Sequence, residues 1–206
     1  MPGNWGKQRR DRGASEVNMS TIAGVLRRTS SNFLYRLIGA ALLDGSVFEG
    51  VEGDRRATAQ AAVVVFLASI APVVGLSRIF GFQIDALVRL AALSMGAWLL
   101  WTVLIFQIGV RLFPDPETES SVGELLRTTG FAAAPGLLQV FVMLPGMLLP
   151  VFIGTWIWMI AAMVVAVSHA LDYRSTWRAL FVCVIAAALA GTIAVIIGVL
   201  FGPTVH

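Results

Sequence analysis

The fold of this chain is decided by one uncharged stretch, residues 128–171, which reads TTGFAAAPGLLQVFVMLPGMLLPVFIGTWIWMIAAMVVAVSHAL. A helix crosses the hydrocarbon core of a bilayer in about 20 residues, so this stretch is too long for one crossing and suits two. A Pro-Gly pair at 145–146 and Pro150 interrupt its middle, where a reversal needs residues that leave a regular helix. We therefore predict two spans, at about 128–148 and 151–171, joined by a tight turn.

Three further uncharged stretches complete the membrane domain, at about 57–77, 90–110 and 179–202. One charge at the centre of a span costs about 2.5–3.5 kcal/mol of insertion free energy, and none of the five stretches has one. The sequence thus predicts an all-α, polytopic transmembrane helical bundle of five spans within residues 57–206. The composition agrees, because 57% of the 206 residues are apolar and 13% are charged, against about 25% in a soluble domain. These values exclude a soluble domain, a disordered chain and a nucleic-acid-binding domain.

The basic residues are divided unequally between the two sides that five spans define. Nine precede the first span, two lie in residues 111–127 and two in 172–178, whereas Arg78 and Arg89 lie on the other side. This ratio of 13 to 2 predicts a cytoplasmic N-terminus and an external C-terminus by the positive-inside rule. One long helix with a re-entrant piece in 128–171 would instead bring the C-terminus inside. The preference for arginine over lysine points to a bacterial cytoplasmic membrane.

The N-terminal region divides into a basic tail, residues 1–31, and a juxtamembrane segment, residues 32–56, with amphipathic helical character. The tail is either a solvated disordered segment or a surface for anionic lipid headgroups, which attract each nearby basic residue with about 1 kcal/mol. In the juxtamembrane segment, the spacing of Ser46 and Glu49 is that of a capping box and predicts a helix start. The candidate lipid- or partner-binding residues are Arg9, Arg10, Arg12, Arg27, Arg28 and Arg36.

The loop between the predicted second and third spans, residues 112–126, is acidic and has no basic residue. We predict that it faces the same side as the basic tail. The two segments then pair with each other, bind partners, or form a solvated charged face. Ser121 and Glu124 form a second capping box, so the third span is expected to begin as a helix before it enters the lipid. The candidate partner-binding residues of the loop are Asp115, Glu117 and Glu119.

Small residues recur every fourth position in the last two predicted spans, and this spacing lets helices approach closely in lipid. The alternative is that alanine is simply frequent in these spans. We expect the two spans to pair with each other, and their small-residue faces are also candidates for contact with other membrane proteins or a second copy of the chain. The candidate helix-packing residues are Ala162, Ala166, Ala170, Ala186, Ala190, Ala194 and Gly198.

Polar residues at membrane depth are few, namely Gln107, Gln139, Ser168 and His169. An ion-coupled transporter usually needs carboxylates at this depth, and the predicted spans have none. His169 is a weak candidate for cofactor ligation, and its position near the end of a span is more typical of a hydrogen-bonded residue. The single cysteine, Cys183, and two histidines form no zinc motif, and no nucleophile–base constellation is recognisable. We therefore predict no enzymatic activity, no metal and no cofactor.

Three motifs carry a resemblance to a known family. FLYRLIGAALLDGSVFEGVEGDRRATAQAAVVV at 33–65 is similar to the entry into the first span of bacterial members of the Yip family, the Ypt/Rab-interacting membrane proteins. LLRTTGFAAAPGLL at 125–138 and WIWMIAAMVVAVSHALDYRSTWRAL at 156–180 resemble that family's third and fourth spans and the loop into the fifth. The resemblance covers roughly residues 33–202. It rests on Gly130, Phe131, Ala134, Pro135, Trp156, Arg178 and Ala179.

The resemblance implies five spans and a cytoplasmic N-terminal region, in agreement with the charge count. Eukaryotic members of the Yip family bind prenylated Rab-type GTPases in vesicle traffic. The short basic N-terminal region and the arginine preference depart from that setting, so the GTPase partner is not carried over. The family also offers no catalytic residues to transfer.

These observations favour a non-enzymatic integral membrane protein of the Yip family that organises membrane partners or lipids through its cytoplasmic face. Two alternatives stand beside this hypothesis. An accessory subunit of a larger membrane complex would use the small-residue faces and the tryptophan pairs as contact surfaces. A channel or transporter for a small solute is disfavoured by the lack of charges in the spans.

Overall fold

The computed structural model describes residues 32–81, 84–113 and 120–201. The chain divides into two compact units, residues 1–36 and 37–206. Residues 32–36 of the first unit are helical. The described residues of the second unit form helices, turns and connecting loops, and none of them lies in a β-strand.

The second unit begins with a short helical stretch, residues 37–41, followed by a series of longer helices. The α-helices are α1 (Gly45–Glu52), α2 (Ala57–Phe80), α3 (Ile84–Phe106), α4 (Val122–Phe131), α5 (Leu148–Ala170) and α6 (Thr176–Phe201). A π-helix, Gln107–Leu112, continues α3, and a 3₁₀-helix, Ala134–Met143, continues α4.

Five segments among the described residues are long and apolar enough to cross a membrane. They are Ala57–Ile79, Leu87–Leu112, Val122–Met143, Leu148–Ala170 and Thr176–Ile193. The predicted all-α bundle of five spans is confirmed, and the chain is an integral membrane protein.

The third span begins at Val122, six residues before its predicted start, because Ser121 caps α4. The Ser121 hydroxyl accepts a hydrogen bond from the Glu124 N–H at 3.3 Å, and the Glu124 carboxylate accepts one from the Ser121 N–H at 2.7 Å. This arrangement is the capping box expected from the sequence. The cap satisfies N–H groups at the start of a helix that enters an apolar environment.

The α-helical part of the third span ends at Phe131, and Pro135 explains why. In an α-helix, a proline ring clashes with the carbonyl of the residue four positions before it. For Pro135 that residue is Phe131. The chain continues as the 3₁₀-helix to Met143. Because a 3₁₀-helix rises about 2.0 Å per residue, this part extends the span further than the same number of α-helical residues.

The cap of α1 differs from the prediction. The N-cap is Asp44, whose carboxylate accepts hydrogen bonds from the Ser46 N–H at 3.0 Å and from the Ser46 hydroxyl at 2.7 Å. Ser46 therefore lies in the first turn and does not begin a capping box with Glu49. Aspartate is among the residues that most favour the N-cap position, and here it engages the Ser46 hydroxyl.

The third span forms the centre of the bundle. Of its apolar window, 72% is buried, against 17–33% in the other four spans. The surfaces of these four are therefore largely available to lipid, which accounts for the many exposed large apolar side chains on them. The least hydrophobic of the five spans is thus the one that the others surround.

The third span approaches α2 closely through small residues. A Cβ added at Gly130 would lie 2.7 Å from the Ala61 Cβ, and one added at Gly75 would lie 2.5 Å from the Gln139 carbonyl oxygen. Only glycine allows the two backbones to approach to this extent. Ala61, Ala68 and Gly75 recur every seventh residue along α2, a repeat that was not among the predicted packing faces.

The small-residue faces of the last two spans are partly buried. α5 and α6 contact each other, and Ala170 and Ala186 belong to one buried apolar cluster. Ala162 and Ala166 are also fully buried, whereas Ala190 is half-buried. Two further candidates, Ala194 and Gly198, lie on α6, and their side chains fall outside the described part of the structure.

Several connecting segments meet at one end of the bundle, which we call the charged end. Arg127 of α4 donates to the Glu52 carbonyl at the end of α1. The Tyr173 hydroxyl, between α5 and α6, lies 3.0 Å from the Gly109 carbonyl of the π-helix, to which it donates. At the opposite end, Arg78 contacts the last carbonyl of the 3₁₀-helix at 3.4 Å. The described parts of residues 37–56, 111–127 and 172–178 therefore share the charged end.

The helical stretch at 37–41 is fixed to the bundle. The Trp158 indole N–H of α5 donates a hydrogen bond of 2.7 Å to the carbonyl of Ala41, the last residue of this stretch. Carbonyls at the end of a helix lack partners within it, and an indole N–H seeks an acceptor in an apolar setting. The stretch therefore packs on α5.

Candidate functional site

Charged side chains from four segments gather at the charged end, and we call them the juxtamembrane cluster. α1 contributes two carboxylates, α4 a carboxylate and a guanidinium, the last turn of α5 an imidazole, and the next loop a carboxylate. The members are Glu49, Glu52, Glu124, Arg127, His169 and Asp172.

Arg127 is the buried centre of the cluster, with 6% of its surface exposed. Its Nε donates to the Glu52 carbonyl oxygen at 2.9 Å, and its Nη2 donates to the same oxygen. The last carbonyls of a helix have no partners within it, and the planar guanidinium supplies two donors in a fixed geometry. Arg127 thus joins α4 to the end of α1.

This function of Arg127 was not predicted from the sequence, where the residue counted only among the charges that orient the chain. A signal was present, because Arg127 lies three residues after Glu124 in a helix with a recognisable start. Residues three apart lie on neighbouring positions of one helix face. What the sequence did not reveal is that this face turns toward α1.

Glu52 is the titratable group that this environment perturbs most among the described residues outside the spans. Burial, followed by the nearby negative charges of Asp172 and Glu124, raises the pKa of the Glu52 carboxyl from 4.5 to about 7, against an opposing effect of Arg127. Both a low-dielectric environment and neighbouring carboxylates disfavour the ionised form. The net charge of the cluster therefore changes near neutral pH.

His169 lies against α1 on two sides. Its Nδ1 is 3.6 Å from a carboxylate oxygen of Glu49, and its ring stacks on Phe48 with 6.5 Å between the ring centroids. On the other side, a Cβ added at Gly45 would lie 2.5 Å from Nε2. Because α1 occupies the space around both ring nitrogens, ligation of a bulky cofactor by His169 would require α1 to move.

The cluster keeps its guanidinium inside and presents carboxylates at its surface. The Glu49 side chain is 70% exposed and Asp172 is also exposed. Within the described part of the chain, no three His, Cys, Asp or Glu side chains are arranged to hold a metal ion. Exposed carboxylates beside a membrane favour contact with cationic groups of a partner, since complementary charge directs association.

A second feature is a cavity of about 420 Å³ between helices of the second unit, open on one side. It lies near the midpoints of the spans, where α2, α3, the third span and α5 face one another. Three indoles, two methionine thioethers, two serines and one glutamine contribute to its wall. The wall includes Ser94, Trp98, Trp101, Gln139, Trp156 and Met159.

Hydrogen bonds fix one of the indoles at the cavity wall. The Trp98 N–H donates to the Thr129 hydroxyl at 3.2 Å, and that hydroxyl donates to the Leu125 carbonyl at 2.5 Å. The Thr102 hydroxyl is 3.1 Å from the Thr129 hydroxyl and completes the link between α3 and α4. These bonds fix Trp98 to the buried face of α4.

Some of the predicted binding residues lie among the described residues and the others lie outside them. Arg36 is half-buried in the first compact unit. The other basic candidates, Arg9, Arg10, Arg12, Arg27 and Arg28, lie outside the described residues, as do the acidic candidates Asp115, Glu117 and Glu119. From the acidic loop, the described Glu124 belongs to the juxtamembrane cluster.

The residues on which the family resemblance rests fall into two groups. Gly130, Phe131, Ala134 and Pro135 are buried where α4 gives way to the 3₁₀-helix, and Ala179 is buried near the start of α6. Trp156 and Arg178 are exposed. The buried residues therefore have a packing function, four of them in the third span and Ala179 in α6, which explains their pattern in physical terms.

Comparisons with protein-family models, with curated proteins and with solved structures found no match to this chain.

Proposed function

We propose that this chain is a non-enzymatic membrane protein of the Yip type, which organises membrane partners or lipids through the charged end. The observation that carries the proposal is the juxtamembrane cluster. It collects charged groups from four segments, anchors them through the buried Arg127, and leaves Glu49 and Asp172 exposed. Such a surface suits the recognition of cationic segments of other membrane proteins.

Two further observations support this function. The resemblance to the Yip family implies a membrane protein without transferable catalytic residues. The charge count of 13 to 2 favours a cytoplasmic position for the charged end, where the basic tail would meet anionic lipid headgroups. The basic residues of the tail would then serve lipid, and the carboxylates of the cluster a partner.

Co-purification from native membranes tests the proposal. The intact chain is compared with a double variant, Glu49→Gln with Asp172→Asn, which removes the exposed negative charge of the cluster. The matched control is Asp85→Asn, which neutralises a carboxylate at the opposite end that is 66% exposed and lies 2.8 Å from Arg89. We expect the recovered partner to decrease severalfold with the double variant and to be unchanged with the control.

The same preparations distinguish the alternatives. A partner that all three chains retain equally would point to an accessory subunit held through the apolar faces of the spans. Anionic lipid that follows the intact chain through mild detergent, and is lost at high salt, would support the lipid part of the proposal. The absence of both partner and lipid from the intact chain would contradict it.

A further inference from the structure

The cavity at the midpoints of the spans is a ligand site that is separate from the charged end. We propose that it binds a neutral lipid with a flat, carbonyl-bearing ring of the quinone class, with the ring inside the cavity and the chain in the bilayer. The size fits this ligand, because about 420 Å³ falls within the range of about 300–1,000 Å³ typical of small-molecule sites.

The position of the cavity determines where its ligand comes from. Ser69, Trp98 and Met159 all lie near the midpoints of their spans. The rim includes Leu90 and Trp156, which are 41% and 50% exposed, so the cavity is open on the lipid-facing side of the bundle. A molecule that reaches it therefore enters from the hydrocarbon core of the membrane.

The charge of the wall excludes the headgroup of a phospholipid. All sixteen lining residues are uncharged, and the polar ones are serine, threonine, glutamine and the indole N–H groups of tryptophan. A phosphate or ammonium group would lose its hydration at this depth without gaining a countercharge. The ligand must therefore be a neutral lipid.

The polar groups of the wall exclude a plain hydrocarbon chain as the best ligand. Gln139 is 6% exposed, and neither its side-chain amide nor the Ser94 hydroxyl has a hydrogen-bond partner within the described residues. Unsatisfied donors are costly in a lipid environment, whereas a ring carbonyl would accept a hydrogen bond from the Gln139 amide.

The aromatic groups of the wall favour a planar ring on the ligand. Trp98, Trp101 and Trp156 provide three indoles, and Met159 provides a polarisable thioether beside them. Indoles stack on flat rings, and a thioether sulfur makes favourable contacts with aromatic groups. A neutral lipid with a flat, carbonyl-bearing ring combines the features that the charge, the hydrogen bonds and the shape of the wall require.

The test uses the full chain in lipid nanodiscs with decylubiquinone as the probe, and binding is followed by quenching of tryptophan fluorescence. We expect saturable quenching by about one probe per chain. Gln139→Met keeps the length of the side chain and removes the amide. We expect it to weaken binding about tenfold, which corresponds to about 1.4 kcal/mol. Gln107→Met is the matched control, because it makes the same change at an exposed position outside the cavity.

Two additional arms make the outcome decisive. Ala97→Phe places a ring at the cavity wall and is expected to abolish saturable quenching, provided that it elutes as the same single species as the intact chain. Decylbenzene, which has the same chain but no carbonyl, is expected not to displace the probe. Linear quenching that is equal in the intact chain and the three variants would overturn the site. Displacement of the probe by decylbenzene at the same concentration as decylubiquinone would overturn the quinone class.

Discussion

The charged end and the interior of this bundle are held together in different ways. At the charged end, donors from one segment meet carbonyls of another, as in the contact of Arg127 with the Glu52 carbonyl and that of Tyr173 with the Gly109 carbonyl. In the interior, α2 and the third span meet through glycine and alanine, with no room for a Cβ at Gly75.

The difference follows from the surroundings of each region. Lipid provides little hydrophobic force between helices, so contacts in the interior depend on close approach and dispersion, with a few side-chain hydrogen bonds such as that of Trp98 with Thr129. At the membrane edge, helix ends expose carbonyls that side chains satisfy. The interior should therefore be sensitive to added volume, and the charged end to lost donors and to pH.

The largest effect is expected in the interior. Gly75→Val would place side-chain atoms on the Gln139 carbonyl, a backbone group that cannot rotate away. We expect the free energy of unfolding in detergent micelles to fall by about 3 kcal/mol, at the upper end of the range for overpacking. Gly96→Val is the control, because nothing lies within 4 Å of a Cβ added there. Equal stability of the two variants would contradict the close contact.

The next effect is expected at the charged end. Arg127→Met keeps the apolar stem and removes both donors to the Glu52 carbonyl. We expect a loss of about 2 kcal/mol, since a buried acceptor is left without its partner. Arg127→Lys should lie between the two because it retains a charge and fewer donors. Arg111→Met, at an exposed position, should change stability by less than either, and a similar loss there would argue against a specific function of Arg127.

A smaller effect is expected for the second polar contact at the charged end. Tyr173→Phe removes the hydroxyl that donates to the π-helix and leaves the ring in place. We expect a loss of about 1 kcal/mol, the net contribution of one hydrogen bond. Tyr35→Phe removes a hydroxyl from a residue that is 63% exposed and is expected to have no measurable effect. A Tyr173→Phe chain as stable as the parent would show that the π-helix does not depend on this bond.

The effect expected to be smallest is a pH dependence of stability that originates at the charged end, because the Glu52 side chain is only half-buried and solvent screens its interactions. The pKa of Glu52 is about 7 in the folded chain against 4.5 as its ordinary value, so the folded state binds more protons between these values. Stability should therefore be greatest below pH 4.5, fall as pH rises, and level off above about 7. Glu52→Gln is expected to flatten this profile, whereas Asp85→Asn should leave it unchanged. A profile that Glu52→Gln does not alter would assign the dependence to another group.

The fold was largely predictable because its main signals are local. The length of each uncharged stretch defines the spans, and the Ser121–Glu124 spacing identifies the start of α4. Pro135 was visible in the sequence as a helix-breaking residue, but the length of the 3₁₀-helix depends on how closely the third span fits against α2. The α1 cap was assigned wrongly because Asp44 and Ser46 are both good capping residues and compete for the same helix start.

The candidate sites were less predictable because they depend on contacts between distant segments. Arg127 and Glu52 are 75 residues apart, and no local pattern shows that a charge counted in a loop is buried against another helix. Gln139 stood out as a polar residue at membrane depth, yet the sequence did not reveal the indoles from α3 and α5 that share its cavity. Local spacing predicts helices and caps, whereas the sites arise from tertiary contacts.

The most direct test of the account is to measure on which side of the membrane the charged end lies. In a Cys183→Ala background, single cysteines at Glu49, Asp172 and Asp85 are labelled with a membrane-impermeant maleimide in right-side-out and inverted vesicles. We predict that Glu49→Cys and Asp172→Cys react only in inverted vesicles, and Asp85→Cys only in right-side-out ones. Labelling of Glu49→Cys and Asp172→Cys from opposite faces would contradict the five-span fold, and labelling of both from the outside would contradict a cytoplasmic charged end.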